Sequence, residues 1–237
     1  MNFGVYFLIA TGHLREAFTH EDARTYFGII FGAAAIMFID LKDIITGAGD
    51  AFRHIFFQIG SIMTTTGFAS MDFDQWPATS KTVLVLLMFI GACAGSTGGG
   101  IKVVRIIILF KTFVKEIISF LHPRSVKKIK SEGKVVEHET LRATNVYFAT
   151  FMFLFVGSIL LISLEGHDMI TNFTAVAATI NNIGPGLNMV GPTQNFGFFS
   201  DFSKLVLSFD MLAGRLELFP LLLLFCPSVW KPKKKNV

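Results

Sequence analysis

The sequence predicts an all-α membrane protein built from a repeated unit: a long apolar helix, a short re-entrant helix ending in a polar glycine-bearing turn, and a second, broken apolar helix. Three observations predict it. Of the 237 residues, 52% are hydrophobic and only 16% charged, where a soluble domain carries about 25% charged residues; the mean hydropathy is +0.58. Charge is also segregated. Basic residues gather in a connector at 111–142 and a tail at 231–235, while Asp40, Asp43, Asp50, Asp72, Asp74, Glu165, Asp168 and Asp201 occupy the alternate connectors. That asymmetry places the basic connector and the C-terminal tail in the cytoplasm. Third, the motif order occurs twice in register. Thr64-Thr65-Thr66-Gly67 lies over Asn181-Asn182-Ile183-Gly184, and Lys81 precedes Gly91 by the same ten residues that separate Lys204 from Gly214.

In chain order, residues 1–12 are the apolar tail of a preceding unit's last helix, and 13–24 a charged cytoplasmic connector. No basic leader with a cleavage site opens the chain. The first full unit occupies 25–121. Its first helix, 26–39, is rich in small residues (Gly28, Gly32, Ala33, Ala34, Ala35) that let helices approach closely in a bilayer. It is shorter than the roughly 20 residues a span needs, so flanking residues must extend it. The stretch 50–63 has re-entrant length, with Asp50 as a plausible N-cap; an interfacial amphipathic helix is the alternative. A second apolar run, 82–94, breaks at Gly95-Ser96-Thr97-Gly98-Gly99-Gly100 and resumes at Ile101. Residues 122–140 form the basic connector with Pro123 as its breaker. The second unit, 141–227, repeats the plan: a charge-free span at 147–164, a short segment at 168–180, and a last span at 205–226 interrupted by Gly214-Arg215-Leu216-Glu217. A basic tail, 228–237, closes the chain.

The chemistry follows from what these turns offer. A permeating cation must exchange its hydration shell for protein oxygens, and carbonyls of an extended glycine-bearing loop supply them without fixed charge. Thr64, Thr65, Thr66 and Gly67 are therefore candidate filter residues, as are Asn181, Asn182, Ile183 and Gly184. Gly67 and Gly184 provide the backbone freedom, and the Thr hydroxyls and Asn amides line or brace the path. Each short helix presents its partially negative C-terminus to such a site. The absence of Asp and Glu from both turns argues against a divalent-cation ring. The run 95–100 is not a phosphate loop, because Ile101 separates Gly100 from Lys102 and no buried strand precedes it. It reads instead as an intramembrane loop able to block or clear the path. Arg215, inside an apolar segment, needs a water path or a partner; an electrostatic barrier and a structural ion pair stand as equal readings. Cys93 and Cys226 lack zinc-ligand spacing and read as small buried hydrophobes. The formal charge of +4 comes with no basic–aromatic face, so nucleic acid is not a partner. No nucleophile, metal or acid–base constellation points to an enzyme.

The strings TTTGF, GACAGSTGGGIKVVRI, NNIGPGL and GRLELFPLLLLF, in that order, resemble the Trk/Ktr/HKT superfamily of potassium transporters, and its TrkH-type pore subunits most closely. The resemblance spans essentially the whole chain. It implies a potassium-channel-like pore of four helix–pore helix–helix repeats in the bacterial inner membrane, with K+ as the permeating ion. It also implies a homodimer and a ring of TrkA-like nucleotide-binding regulatory subunits with RCK domains. By position, 64–67 resembles the third repeat's filter, 181–184 the fourth's, 95–100 the gating loop and Arg215 the arginine beneath the filter. Two filter segments of four cannot enclose an ion, so the expectation is a C-terminal fragment that needs the remaining two repeats. A sodium-dependent Ktr-type half and a non-conducting scaffold are the alternatives.

Overall fold

The computed structural model describes residues 3–13, 19–93, 96, 98–122, 128–131, 134–215 and 223. Within them helices predominate, joined by turns and loops, with one short ribbon. Helix α1 spans Phe3–Ala10, α2 Glu21–Leu41, α3 Ala48–Met63, α4 Ala78–Phe89, α5 Val103–Leu121, α6 His138–Ser163, α7 Met169–Ile180 and α8 Asp201–Arg215. Two 3-10 turns, Phe73–Gln75 and Asn188–Val190, follow α3 and α7. The ribbon pairs β1 (Lys130–Ser131) with β2 (Lys134–Val135) antiparallel, Lys130 opposite Val135. Nothing in the sequence pattern marked this hairpin.

Helix lengths sort the elements into two kinds. At about 1.5 Å per residue, α2 with 21 residues and α6 with 26 reach about 31 and 39 Å, enough for a hydrocarbon core of about 30 Å. The 16 residues of α3 and the 12 of α7 reach only about 24 and 18 Å. The apparent shortness of 26–39 is resolved by its ends: α2 starts at Glu21, where Glu21 and Asp22 complement the helix N-terminus.

Helices α2, α3 and α4 pack together, as do α6, α7 and α8; α4 against α7, and α5 against α2 and α6, join the two groups. The core runs continuously between them through Met37, Leu41, Ile55, Ile59, Ile62, Met63, Leu84, Phe151, Phe155, Ile162 and Ile180. Its most enclosed element is α7, buried from Thr171 to Ile180 at every position except Phe173. Ala175, Ala177 and Ala178, all 0% exposed, let the neighbouring helices close around it. The outer surface is apolar: Phe31, Ile39, Phe113, Phe153, Leu160 and Leu164 are exposed, a distribution suited to lipid rather than water.

A carboxylate at the end of the first helix of each group is tied to the start of the last. Ser80, in the first turn of α4, donates to Asp40 Oδ2 from its backbone N at 2.9 Å and its hydroxyl at 2.6 Å. Ser200, just before α8, likewise donates to Glu165 from backbone N and hydroxyl. An acid held at a helix N-terminus satisfies orphan N–H groups and the positive end of the helix dipole.

Two expectations change. Asp50 is not the cap of α3; Gly47 occupies that position without a side-chain bond, and Asp50 pairs in the first turn with Arg53 at 3.0 Å. The apolar run 82–94 is helical only to Phe89. There the chain becomes extended at Ile90 (φ −92°, ψ 92°) and forms a parallel bridge with Ile101. The N–H of Gly91 donates to Ile101 O at 2.9 Å and that of Val103 to Ala92 O at 3.3 Å. The residues flanking the glycine run are thus pinched together at a neck, from which α5 departs.

Candidate functional site

Each short helix ends in the same turn. Thr64 closes α3 and Asn181 closes α7 with nearly identical dihedrals, φ −89° and −92°, both ψ 0°. The next residue enters the left-handed region: Thr65 at φ 56° and Asn182 at φ 55°. Its N–H donates to Ile62 O (3.0 Å) or Thr179 O (2.9 Å), and the following N–H donates to Ser61 O (2.9 Å) or Ala178 O (2.8 Å). This pair of bonds is the Schellman motif. Gly67 and Gly184 then turn the chain again at φ 80° and 117°. Sequence reasoning anticipated the glycines but not the left-handed Thr65 and Asn182. Asn182 carries a signal, since Asn is the usual non-glycine occupant of that conformation; β-branched Thr65 carries none.

The turn leaves a row of unused acceptors. Among the described residues, the carbonyls of Thr64, Thr65, Thr66 and Gly67, and of Asn181, Asn182, Ile183 and Gly184, accept no hydrogen bond. The side chains brace instead. Thr64 donates to Gly60 O at 2.7 Å and shares a bond with the Thr66 hydroxyl at 2.7 Å. Ser61 donates to Phe68 O at 2.6 Å, holding the exit of the turn. The Asn181 amide donates to Ala177 O at 2.8 Å, and that of Asn182 to Met211 O on α8 at 3.0 Å.

The fold brings the two turns together. A Cβ at Gly67 would lie 2.1 Å from Ile183 O and 3.3 Å from Pro185 Cδ, so only glycine permits the approach. The pinched loop reaches the same place: a Cβ at Gly99 would meet Asn181 O at 2.4 Å, one at Gly100 the Asn181 Oδ1 at 3.0 Å, and one at Gly98 the Thr65 Oγ1 at 3.7 Å. Ser96 is half-buried with its hydroxyl unpartnered; Gly95 and Thr97 lie outside the described residues. Gly91 and Gly214, in register by sequence, serve different contacts. Gly91 packs on its own loop, a Cβ there falling 2.5 Å from Gly99 O, whereas a Cβ on Gly214 would fall 1.7 Å from Ile180 O. Arg215, exposed, ends α8 one residue past that crossing. Its sequence neighbour Glu217 lies outside the described residues.

At the start of α7, Asp168 caps the helix, its Oδ2 accepting from Thr171 N at 3.0 Å and from the Asn188 amide at 2.9 Å, and its Oδ1 from the Thr171 hydroxyl. The Thr171 hydroxyl foremost, with its backbone N and Asn188, holds the Asp168 carboxyl below the usual carboxylate range. Nearby, the Ser200 hydroxyl foremost, with its backbone N, holds Glu165 down at about 2.

Short helices ending in open carbonyl turns, wedged among longer apolar helices, define the class: a mostly helical protein in which, among the described residues, α2 and α6 are long and apolar enough to cross a membrane. The comparisons agree. The family model for TrkH, described as a cation transport protein, matches residues 42–234, and the chain belongs to that family. The Trk system potassium uptake protein TrkH of Escherichia coli (strain K12) is 35% identical over 97% of this chain and 48% of its own length. TrkH of Vibrio parahaemolyticus serotype O3:K6 is 42% identical over 78% of this chain and 38% of its own length. The crystal structure of the potassium transporter TrkH from Vibrio parahaemolyticus superposes with a TM-score of 0.88 at 37% identity, over 98% of this chain and 50% of that one. The chain spans about half the length of the curated relatives it matches.

Proposed function

We propose that this chain contributes the third and fourth of four filter segments to a Trk-type potassium uptake pore. The observation that carries the reading is the pair of matched turns whose eight carbonyls accept no hydrogen bond among the described residues. Each stands at the C-terminus of a short helix, where the dipole favours a cation. Carbonyls in place of carboxylates suit dehydration of K+, the cargo, without trapping it. Residues 64–67 and 181–184 line the path in this reading.

The pinched loop, with Gly95, Ser96, Thr97, Gly98, Gly99 and Gly100, is the gate. Gly99 lying against Asn181 O supports this, since the loop covers the first carbonyl of one turn. Arg215 sets the electrostatic barrier below. The remaining two repeats complete the ring, in a homodimer of inner-membrane subunits regulated by TrkA-like RCK proteins on the cytoplasmic side, where the basic connector and tail lie. The named relatives are transporters, and no enzymatic role is proposed.

Complementation tests this. The chain alone, and the chain joined to an upstream half from a TrkH relative, are expressed with the regulatory subunit in cells lacking potassium uptake. Growth at low potassium is expected only from the joined form and is lost on Gly67→Ala or Gly184→Ala. No rescue by either form, with both present in the membrane, would reject the reading.

A further inference from the structure

Away from the paired turns, a cleft of about 710 Å³ lies between the N-terminal end of α2, the middle of α5 and the β ribbon. Its floor is apolar, formed by Ile107, Val114, Ile118 and Ile129. Its wall is fixed by Lys111, whose ammonium donates to Lys130 O at 2.7 Å and pairs with the Glu21 carboxylate. One side chain thus ties α5 to β1 and to α2, and its charge is already answered. The rim is not answered. Lys128 and Lys130 are exposed and their ammonium groups make no hydrogen bond or ion pair among the described residues; Lys115 has only Glu116 at 3.8 Å. Beyond the cleft, α5 exposes Phe110 (67%), Phe113 (61%) and Phe120 (86%), so the apolar floor opens onto an apolar helix face.

We infer that this cleft binds an anionic phospholipid of the cytoplasmic leaflet, its phosphate held by Lys128, Lys130 and Lys115 and an acyl chain lying on Ile107, Val114 and Ile118. Charge complementarity selects this occupant. A neutral lipid or an apolar peptide would leave the Lys128 and Lys130 ammonium groups at the cleft without a counter-charge among the described residues, and Lys115 with only the distant Glu116, whereas basic pockets beside membrane helices on the cytoplasmic side are suited to phosphate head groups. The volume fits a buried ligand segment. The inference rests on the membrane orientation proposed above, with the basic connector cytoplasmic.

The test is native mass spectrometry of the full chain in detergent, titrated with phosphatidylglycerol, phosphatidylcholine and glycerol phosphate. Phosphatidylglycerol is expected to be retained, with affinity falling roughly thirtyfold in Lys128→Gln/Lys130→Gln and phosphatidylcholine unaffected. Val114→Trp, which fills the floor and leaves the lysines, weakens phosphatidylglycerol as well. Equal affinity of the double variant, or equal binding of glycerol phosphate, overturns the site, the latter making it a free-phosphate site. A change of oligomeric state on Val114→Trp also overturns it, by making a second copy the occupant. Lipid binding is read without transport, so failed potassium complementation beside intact phosphatidylglycerol selectivity would strike the pore reading alone.

Discussion

The two turns share one backbone and differ in how it is held. The turn after α7 is locked at both ends of its helix: Asp168 caps the start with help from Asn188, and the Asn182 amide reaches across to Met211 O on α8. Its left-handed residue is an asparagine, which tolerates φ > 0. The turn after α3 has no side-chain cap at Gly47 and an exposed Asp50–Arg53 pair at the start, and its left-handed residue is a threonine. Its hydroxyls bond locally, Thr64 with Thr66. Burial follows the same division: α7 is enclosed, whereas α3 leaves Phe52 and Phe57 56% and 46% exposed. One geometry is therefore imposed by tertiary contacts around α7 and by local bonding at α3.

Substitutions can break or sharpen that contrast. The largest effect is expected at Gly214, where an added Cβ would stand 1.7 Å from backbone Ile180 O and neither partner can yield. Gly214→Ala should separate α8 from α7, costing about 3 kcal/mol or more, read as loss of a monodisperse peak in detergent. Gly157→Ala, with nothing within 4 Å, is the control that should behave as wild type.

Exchanging the left-handed residues comes next. Thr65→Asn should stabilise by about 1 kcal/mol by relieving a β-branched residue at φ 56°. Asn182→Thr should destabilise by about 2 kcal/mol, because it adds that strain and removes the bond to Met211. If thermal melts of the two variants moved in the same direction, the division between local and tertiary control would be wrong. Smaller still, Asp168→Ala should cost about 1 kcal/mol as a lost cap, against a few tenths for Asp50→Ala at an exposed pair.

The smallest effect is one of pH. Glu165 has its pKa lowered from 4.5 to about 2. A depressed carboxylate contributes stability that is full above its unfolded value and lost as pH falls through the folded one. Melting temperature should therefore decline between about pH 4.5 and 2, and less steeply in Glu165→Gln. An equal slope would show that this clasp carries no weight.

Much of this was legible in the chain. Composition and the recurring motifs point to an apolar, helical chain, because apolar length and glycine placement are local properties. Thr64–Gly67 and Asn181–Gly184 could be aligned by eye for the same reason. The helix ends were less legible: Glu21 and His138 begin spans inside stretches that read as charged connectors, since hydropathy marks the lipid-facing middle of a helix and not its polar ends.

What only the tertiary structure decided is which residues meet. Gly91 and Gly214 are equivalent by spacing, yet one packs on its own loop and the other on a neighbouring helix. Asp40 with Ser80 and Glu165 with Ser200 are separated by 40 and 35 residues, and nothing local pairs them. Periodicity, capping and turn chemistry act within a few residues, so the sequence determines the parts and their class. The approach of Gly67 to Ile183 O, and of Gly99 to Asn181 O, depends on helices from distant segments closing on one core, and that is settled only by packing.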